Sequence, residues 1–279
     1  MTRRTINATM LRVMSAIADN TAHGNKTVAG TKAIDRALDV LSSFVESPEQ
    51  GITDIAGRSS LSPSTVHRIV RALVNSGYLE QSAETDRYHL GHAAHVLGQS
   101  ARESWGFDRA LPILERIGGL TGESVNMGVA DGSDVVVILR VESVQPLRFD
   151  QPAGTRISMH CSSMGKALLA FSDKPLPALT FAQVTPTTVT SAEHFERELE
   201  ATRHRGYSID DQESIEGVSC VGAPIHNAEG IAVAAIAIQA PTVRMTPDRV
   251  ALIGERAISA AEEIRHTLGL DKLSDVQLR

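Results

Sequence analysis

Apolar residues in the first third of the chain repeat at the spacing of a helix face. Isoleucine, alanine, leucine and valine recur every three or four positions over 34–45, which predicts a first helix. A second, short helix is predicted over 53–58. Ser62 and Pro63 begin a third, which ends before Gly77, a residue suited to a left-handed cap. Three helices in this order, with a tight connection between the last two, are typical of a helix-turn-helix.

The pattern after the third helix changes from helical spacing to alternation. Residues 78–90 alternate between apolar and polar side chains around a polar turn at Asp86, which predicts a two-stranded wing. Helical spacing returns over 93–102. We therefore predict a winged helix-turn-helix domain over 31–91, followed by a linker helix over 92–106.

The rest of the chain mixes helical and strand-like segments. Helices are predicted over 107–120, 163–171, 192–205 and 247–268. Strands are predicted over 125–130, 135–141, 220–226 and 231–240, with another near Tyr207. Helices flanking an antiparallel sheet make an α+β domain, which we predict over 107–270. Residues 1–30 are interpreted as a flexible extension and 271–279 as a tail.

Composition narrows the class of protein. A chain of 279 residues with 42% hydrophobic content can bury two cores. The longest apolar run, 231–240, is half of the roughly 20 residues that a membrane helix needs, so a cytoplasmic protein with no membrane contact is predicted. Its two cysteines, Cys161 and Cys220, are too few and too far apart for a disulfide framework or a self-contained zinc site. We predict neither a metal nor a cofactor.

The charge distribution bears on DNA binding. A net charge of −6 has the wrong sign for general attraction to nucleic acid, so DNA binding would depend on a local patch. Residues 62–77 form such a patch, because they contain His67, Arg68 and Arg71 and no acidic residue. The local charge is therefore placed on the third predicted helix.

The third helix has two faces. At about 100° per residue, the apolar side chains fall on one side: Val66, Ile69, Val70, Leu73 and Val74. The opposite face holds Ser64, Arg68, Arg71 and Asn75, flanked by Thr65 and His67. Base readout is assigned to Arg68 and Arg71, because an arginine in the major groove can donate two bonds to guanine. Phosphate contacts are assigned to the first-turn residues Ser62, Ser64 and Thr65, and to Arg87 in the wing.

The alternative for this helix is an ordinary solvated surface helix. An apolar stripe opposite a polar face is also what any surface helix shows. The order of helix, short helix, turn, helix and wing favours DNA binding over that alternative.

Several segments resemble one protein family. Three segments of the first half of this chain, IDRALDVLSSF, ITDIAGRSSLSPSTVHRIVRALVNSGYLE and DRYHLG, resemble the DNA-binding half of the isocitrate lyase regulator (IclR) family. Four later segments resemble the effector domain of the same family: GESVNMGVADGSDVVVILRVES, MHCSSMGKALLA, GYSIDDQESIEGVSCVGAPIHN and IAVAAIAIQAP. The resemblance spans about 31–270. It implies a two-domain transcription regulator with a GAF-like C-terminal domain, usually a tetramer built as a dimer of dimers, that binds operator DNA and a small organic acid.

The resemblance also implies where the effector binds. Family pockets use a loop like MHCSSMGKA, an acid and a cysteine from a segment like DDQESIEGVSC, and two residues of the strand that follows. These positions are Ser162, Ser163, Met164, Asp210, Cys220, Ala237 and Gln239. The family often carries serine where this sequence has Ala237 and Gln239. Independently of the resemblance, Met127 is a candidate for adaptable apolar lining of the pocket.

The chemistry of these residues suggests a ligand. Ser162 and Ser163 lead into a helix, and together with its N-terminal amides they would match a buried carboxylate. An alanine at 237 lowers the demand for ligand hydroxyls, while Gln239 leaves one polar contact. We therefore expect an aromatic or otherwise largely apolar carboxylic acid.

Enzyme chemistry is less well supported. His160 adjoins Cys161 and His226 follows Cys220, but a cysteine nucleophile needs a base and a lowered pKa, and buried packing is the commoner role. The chain has no serine nucleophile elbow and no phosphate-binding glycine loop, so no catalytic site is predicted. Two alternatives remain open: an enzyme with an accessory helical domain, and a GAF-like sensor without DNA contact. The apolar residues over 93–97 are the candidate dimer contact.

Overall fold

The computed structural model describes residues 31–271, which divide into two compact units between Glu103 and Ser104. The predicted N-terminal extension, 1–30, and residues 272–279 of the predicted tail lie outside the described residues. Among the helices of the described range, none is long and apolar enough to cross a membrane.

The first unit has the predicted helix-turn-helix and wing. Its elements are α1 (Lys32–Glu46), α2 (Ile52–Ser59), α3 (Pro63–Asn75), β1 (Leu79–Gln81), β2 (Tyr88–Leu90) and the first part of α4 (His92–Trp105). The strands β1 and β2 pair antiparallel. Gly77 adopts the expected left-handed conformation, with φ at 74°, and this ends α3.

The apolar residues of α1 divide between two faces. Val40 and Phe44 are buried and pack with Ile55, Val66, Val70 and Leu79 in the core of the unit. The predicted stripe over 34–45 instead leaves Ile34, Leu38 and Val45 exposed to at least half of their possible area. This helix therefore carries more apolar surface than the core of its own unit covers.

The second unit is larger. Its elements after α4 are α5 (Leu111–Thr121), β3 (Ser124–Asp131), β4 (Asp134–Val141), β5 (Arg156–Ser158), α6 (Ser163–Ala170), α7 (Ala192–Arg205), β6 (Ser208–Asp211), β7 (Val218–His226), β8 (Ala232–Pro241) and α8 (Pro247–Leu268). The helix predicted over 107–120 is divided: a 3-10 turn over Phe107–Ala110 precedes α5. Pro112 lies in the first turn of α5, where a residue without an N–H is tolerated.

The six strands form one antiparallel sheet in the order β5-β4-β3-β8-β7-β6. Helices α5 and α8 pack on one face through an apolar cluster that includes Ile117, Val125 and Ile264. Helices α6 and α7 pack on the other face, in a second cluster that includes Leu168 and Phe195. The α+β prediction is confirmed. The three-residue strand β5 is an addition that the hydrophobic pattern did not indicate.

Candidate functional site

Helix α3 turns its predicted polar face to solvent. The exposed residues of this face are Ser64, His67, Arg68, Arg71 and Asn75. Thr65 is half-buried at the flank, and Val66 and Val70 on the opposite side are fully buried. The two-faced arrangement is confirmed, and it leaves an acid-free surface open to a partner.

The first turn of α3 carries a cluster of hydroxyl groups. The Ser62 Oγ accepts a hydrogen bond from the Thr65 N–H at 3.3 Å. It also lies 3.1 Å from the Ser64 Oγ and 2.9 Å from the Thr65 Oγ1. Pro63 follows the cap, where its missing N–H costs nothing. Hydroxyls beside the amides of a helix start can donate to a phosphate oxygen.

The two arginines of α3 are not engaged by any acidic side chain that the structure describes. Within residues 31–271, the side chains of Arg68 and Arg71 make no ion pair or hydrogen bond. A guanidinium in this state can donate to a base edge or a phosphate without first breaking a contact. The cationic groups that could read DNA are therefore available.

The wing arginine is in a different situation. The Arg87 guanidinium donates to the Asp54 carboxylate at 2.5 Å and to the Glu49 carbonyl oxygen at 3.3 Å. The Gly51 N–H and the Arg87 charge lower the pKa of Asp54. Arg87 thus joins the wing to the start of α2, a role that the sequence did not indicate.

One face of the six-stranded sheet carries buried polar side chains. The strand register aligns one row of residues across β6, β7, β8 and β3: Asp210, Cys220, Gln239 and Ser124. The next row on this face contains Ser208, Gly222, Ala237 and Asn126. Cross-strand partners lie on the same side of a sheet, so the predicted effector residues of three strands come together here.

Met127 requires a correction, because it lies on the opposite face of the sheet. Its cross-strand partner is Ile236, and both belong to the apolar cluster beneath α5 and α8. Successive side chains of a strand alternate between faces, so Met127 and the residue before it point in opposite directions. Asn126, rather than Met127, joins Ala237 on the polar face.

The start of α6 resembles the start of α3 in its local geometry. The Ser162 Oγ accepts a hydrogen bond from the Gly165 N–H at 3.1 Å. Among the described residues, the backbone N–H groups of Ser163 and Met164 have no hydrogen-bond partner. Two free amides at the positive end of a helix can bind a carboxylate.

Close packing holds the start of α6 against the sheet. A Cβ atom on Gly222 would lie 2.7 Å from the backbone of Ser163, which leaves no room for a side chain. Met164 and Ala237 belong to the same apolar cluster beneath α6 and α7. Ser162, Ser163 and Met164 therefore lie next to the row that contains Gly222 and Ala237, as the predicted pocket requires.

A charged cluster lies near this position. The fully buried Lys166 Nζ donates to the Ile209 carbonyl oxygen at 2.9 Å and to the Glu213 carboxylate. Asp210 accepts hydrogen bonds from the Glu213 N–H at 2.7 Å and from the Ser214 hydroxyl at 2.5 Å. Asp210, a predicted effector residue, is thus already engaged in the turn that follows β6.

Burial controls the protonation of this cluster. It raises the pKa of Glu213 to about 7, because the cost of burying the charge exceeds the attraction of Lys166. Burial also raises the pKa of Asp210, although its hydrogen bonds act in the other direction. One Glu213 oxygen, Oε2, is buried and makes no hydrogen bond within the described residues.

The two cysteines are buried thiols. Burial, and then the nearby Asp210 charge, raises the pKa of Cys161 to about 12. The same two causes raise the pKa of Cys220 well above its ordinary value. Both groups are protonated near neutral pH, which disfavours nucleophilic chemistry. Within residues 31–271 no group of three or more histidine, cysteine, aspartate or glutamate side chains could hold a metal ion.

The connection between β4 and β5, residues 142–155, lies over the polar face, and we name it the strap. Three side chains of the sheet donate hydrogen bonds to it: Ser124 Oγ to Asp150 Oδ1 at 3.2 Å, Asn126 Nδ2 to Gln151 Oε1 at 3.0 Å, and Gln239 Nε2 to the Phe149 carbonyl oxygen at 3.3 Å. The strap therefore covers the surface on which the predicted effector residues converge.

Sequence reasoning missed Ser124, Asn126 and the strap. A signal for the first two was present, because residues 124–129 alternate between small or polar and apolar side chains. That alternation groups Met127 with Val125 and Val129 and assigns Asn126 to the other face. No comparable local signal marks the strap, whose position depends on contacts between residues far apart in the chain.

Comparison with protein-family models identifies both halves of the chain. The model described as the bacterial transcriptional regulator IclR C-terminal matches residues 107–266. The model described as the IclR helix-turn-helix domain matches residues 33–83. Together these matches cover both of the units described above.

Individual proteins are similar over most of the chain. The HTH-type transcriptional regulator BhcR of Paracoccus denitrificans is 34% identical, over 86% of this chain and 88% of its own length. The transcriptional repressor IclR of Escherichia coli K12 is 33% identical, over 85% and 90% respectively.

Solved structures show the same fold. The IclR of Thermotoga maritima is 27% identical and has a TM-score of 0.69, with coverage of 86% of this chain and 99% of that one. An IclR homolog from Microbacterium hydrocarbonoxydans, complexed with 4-hydroxybenzoate, is 25% identical and has a TM-score of 0.71, with coverage of 85% and 99%.

Proposed function

Because the chain belongs to the IclR family of transcriptional regulators, we propose that it reads operator DNA through residues 62–76 and the wing and senses a small carboxylic acid in its C-terminal unit. The observation that carries the DNA assignment is the exposed face of α3, on which Arg68 and Arg71 have no ion pair or hydrogen bond to another residue of 31–271. Members of this family join a helix-turn-helix DNA-binding domain to an effector domain, and this chain contains both.

The proposed reading of DNA follows from the chemistry of α3. Arg68 and Arg71 would donate to guanine edges in the major groove, while Asn75 and His67 lie on the same exposed surface. The hydroxyl cluster at Ser62, Ser64 and Thr65 would position the helix through phosphate oxygens, which carry no sequence information. Arg87, tied to Asp54, would support the wing and contact the backbone only at its edge.

A binding assay tests whether α3 is the helix that recognises the operator sequence. Fluorescence anisotropy with DNA from upstream of the protein's own gene should show that Arg68→Ala weakens specific binding by about 1–3 kcal/mol and relaxes sequence preference at one position per half-site. Ser64→Ala should weaken binding to all sequences similarly. Arg197→Ala, on the exposed side of α7, is a control that should leave DNA binding unchanged.

Two results would contradict this assignment. Arg68→Ala that binds like the unmutated protein would show that α3 is not the reader. Weak binding by the unmutated protein that moderate salt abolishes would favour the two alternatives, an enzyme with an accessory domain or a sensor without DNA contact.

The acid would bind beside the start of α6, along the polar sheet face. The backbone N–H groups of Ser163 and Met164, which have no partner in the described part of the chain, would receive its carboxylate, with Ser162 as the cap. The similar protein from Microbacterium hydrocarbonoxydans was crystallised with 4-hydroxybenzoate, which supports a small aromatic acid as the first ligand to test. The wall is more polar than Ala237 alone indicated, because Asn126 is its direct cross-strand partner.

We also propose that the protein acts as a homodimer or as a tetramer built from two dimers. No residue of α4 is buried, and its Val96 and Leu97 are 63% and 58% exposed. Apolar surface of this kind on a helix indicates a partner, and a second copy would place two readers on an inverted repeat. Leu97→Glu should lower the mass measured by sedimentation; an unchanged mass would argue against this contact.

The direction of regulation and the cellular location complete the proposal. Several similar proteins are named repressors, and we propose the same role here. A protein that acts on DNA and on a metabolite acid is expected to work in the cytoplasm.

A further inference from the structure

Three side chains on the polar sheet face donate hydrogen bonds to the strap, and one of them, Ser124, also accepts a hydrogen bond from the Ser143 N–H at 3.1 Å. Ser124 and Gln239 lie in the first of the two rows described above and Asn126 in the second. All three are only 1% exposed, and we name this set of three residues the donor row. Each donates to an acceptor of the strap: a carboxylate, an amide oxygen and a carbonyl oxygen respectively. Buried donors of this kind must be matched by some acceptor.

The strap supplies these acceptors without an apolar anchor. Neither hydrophobic cluster of the second unit contains a residue of 142–155. Its base is held by polar contacts, from the Ser143 hydroxyl to the Gly122 carbonyl oxygen at 2.6 Å and from Arg244 to the Leu147 carbonyl oxygen at 2.9 Å. A segment held mainly by hydrogen bonds belongs to the low-stability end of local unfolding.

The donor row adjoins the proposed carboxylate position. Asn126 stands in one row with Ala237 and Gly222, and Gly222 contacts the backbone of Ser163 at the start of α6. Two strand spacings, about 10 Å, separate Asn126 from Gly222. A ligand that places its carboxylate on α6 and extends along this row therefore reaches Asn126 with its other end.

We propose that the donor row selects the ligand: its Asn126 receives a second hydrogen-bond acceptor, opposite the carboxylate, and this group displaces the strap acceptor Gln151. The inference rests on the proposed function, because it assumes that an acid binds at α6. An acid with only one polar end would leave Asn126 unmatched once the strap has moved, and it binds more weakly for that reason. The ligand class is thus a carboxylic acid with a second acceptor at its far end.

Calorimetry on the full chain with 4-hydroxybenzoate and benzoate tests the selection. The two acids share the ring and the carboxylate, and only the first has an acceptor at the far end. We expect 4-hydroxybenzoate to bind about tenfold more tightly to the unmutated protein. Asn126→Leu, similar in size but without the donor, should reduce that ratio to about one. Glu193→Gln on the exposed surface of α7 should leave it unchanged.

Hydrogen exchange measured by mass spectrometry tests displacement of the strap. Binding of 4-hydroxybenzoate should change the exchange of peptides within 142–155 and leave those of α7 unchanged. Asp150→Asn should loosen the strap without any ligand and tighten 4-hydroxybenzoate binding about threefold, because more of the protein is open.

The outcomes separate this inference from the proposed function. Equal binding of both acids, an Asn126→Leu variant that keeps the preference, or an unaltered strap overturns the inference while acid binding stands. Binding of neither acid overturns the proposed ligand class and the donor-row assignment with it. A preference lost in Asn126→Leu and retained in Glu193→Gln supports the inference.

Discussion

Helices α3 and α6 begin in the same way and differ in their surroundings. Each has a serine cap, Ser62 or Ser162, whose hydroxyl oxygen accepts a hydrogen bond from the N–H three residues later. Ser62 is exposed, whereas Ser162 is buried. The same local geometry therefore offers an anion-binding helix start to solvent in one unit and to a closed interior in the other.

The difference shows how environment changes the use of one motif. In water, salt screens the helix start of α3, so a phosphate there contributes to position and general affinity but little to selectivity. In the interior, a charge must be matched by donors or it is not tolerated, so the helix start of α6 can discriminate between ligands. Substitutions near the start of α3 or of α6 should therefore affect phosphate binding and ligand binding separately.

The largest expected effect comes from Gly222→Ala. The added Cβ would meet the backbone of Ser163 at 2.7 Å, so α6 must shift off the sheet. We expect a loss of about 3 kcal/mol in the free energy of unfolding, measured by urea denaturation, together with loss of acid binding. Gly57→Ala in α2, where nothing lies within 4 Å of the added Cβ, should be neutral or slightly stabilising. Equal stability of the two variants would show that α6 is not packed as described.

A smaller effect should come from Glu213→Gln through pH. The folded-state pKa of Glu213 is raised from 4.5 to about 7, so between these values the folded protein keeps a proton that the unfolded chain has lost. The stability of the unmutated protein should therefore fall as pH rises through this range.

Glutamine cannot ionise, so the variant should lack this fall. The difference in unfolding free energy between variant and unmutated protein should change by about 2 kcal/mol in favour of the variant from pH 4.5 to pH 7.5. Loss of the Lys166 partner adds an offset that is nearly constant with pH. Parallel stability curves for the two proteins would contradict the raised pKa.

The smallest effect compares the two caps directly. Ser162→Ala should lower the free energy of unfolding by about 1 kcal/mol, because a buried Gly165 N–H loses its acceptor. Ser62→Ala should cost about half as much, because water can replace the lost acceptor at an exposed site. Thermal denaturation of both variants measures the difference, and a larger loss for Ser62→Ala would reverse the comparison.

The same contrast explains what the sequence could predict. The exposed face of α3 follows from helical spacing, because the position of Arg68 relative to Val66 and Val70 depends only on the turn of one helix. Gly77 could likewise be read as a left-handed cap from its position after the apolar pattern. Local geometry was sufficient in both cases.

The buried site depends on strand register, which sequence does not provide. The alternation over 124–129 indicates the face of Met127, but its pairing with Ile236, and that of Asn126 with Ala237, depends on register. The contact of Asn126 with Gln151 joins residues on separate elements, and the requirement for a glycine at position 222 depends on where α6 packs. The division of apolar residues in α1 between Val40 and Leu38 was also decided by tertiary packing.

The most direct test of the account is operator affinity with and without the acid. Fluorescence anisotropy with the upstream DNA should show that saturating 4-hydroxybenzoate changes the operator Kd of the unmutated protein by at least about fivefold, the lower range of allosteric coupling. Gly57→Ala should respond in the same way, and Gly222→Ala should not respond. The same operator Kd with and without the acid, while calorimetry shows the acid bound, would contradict the claim that the C-terminal unit controls DNA reading by α3.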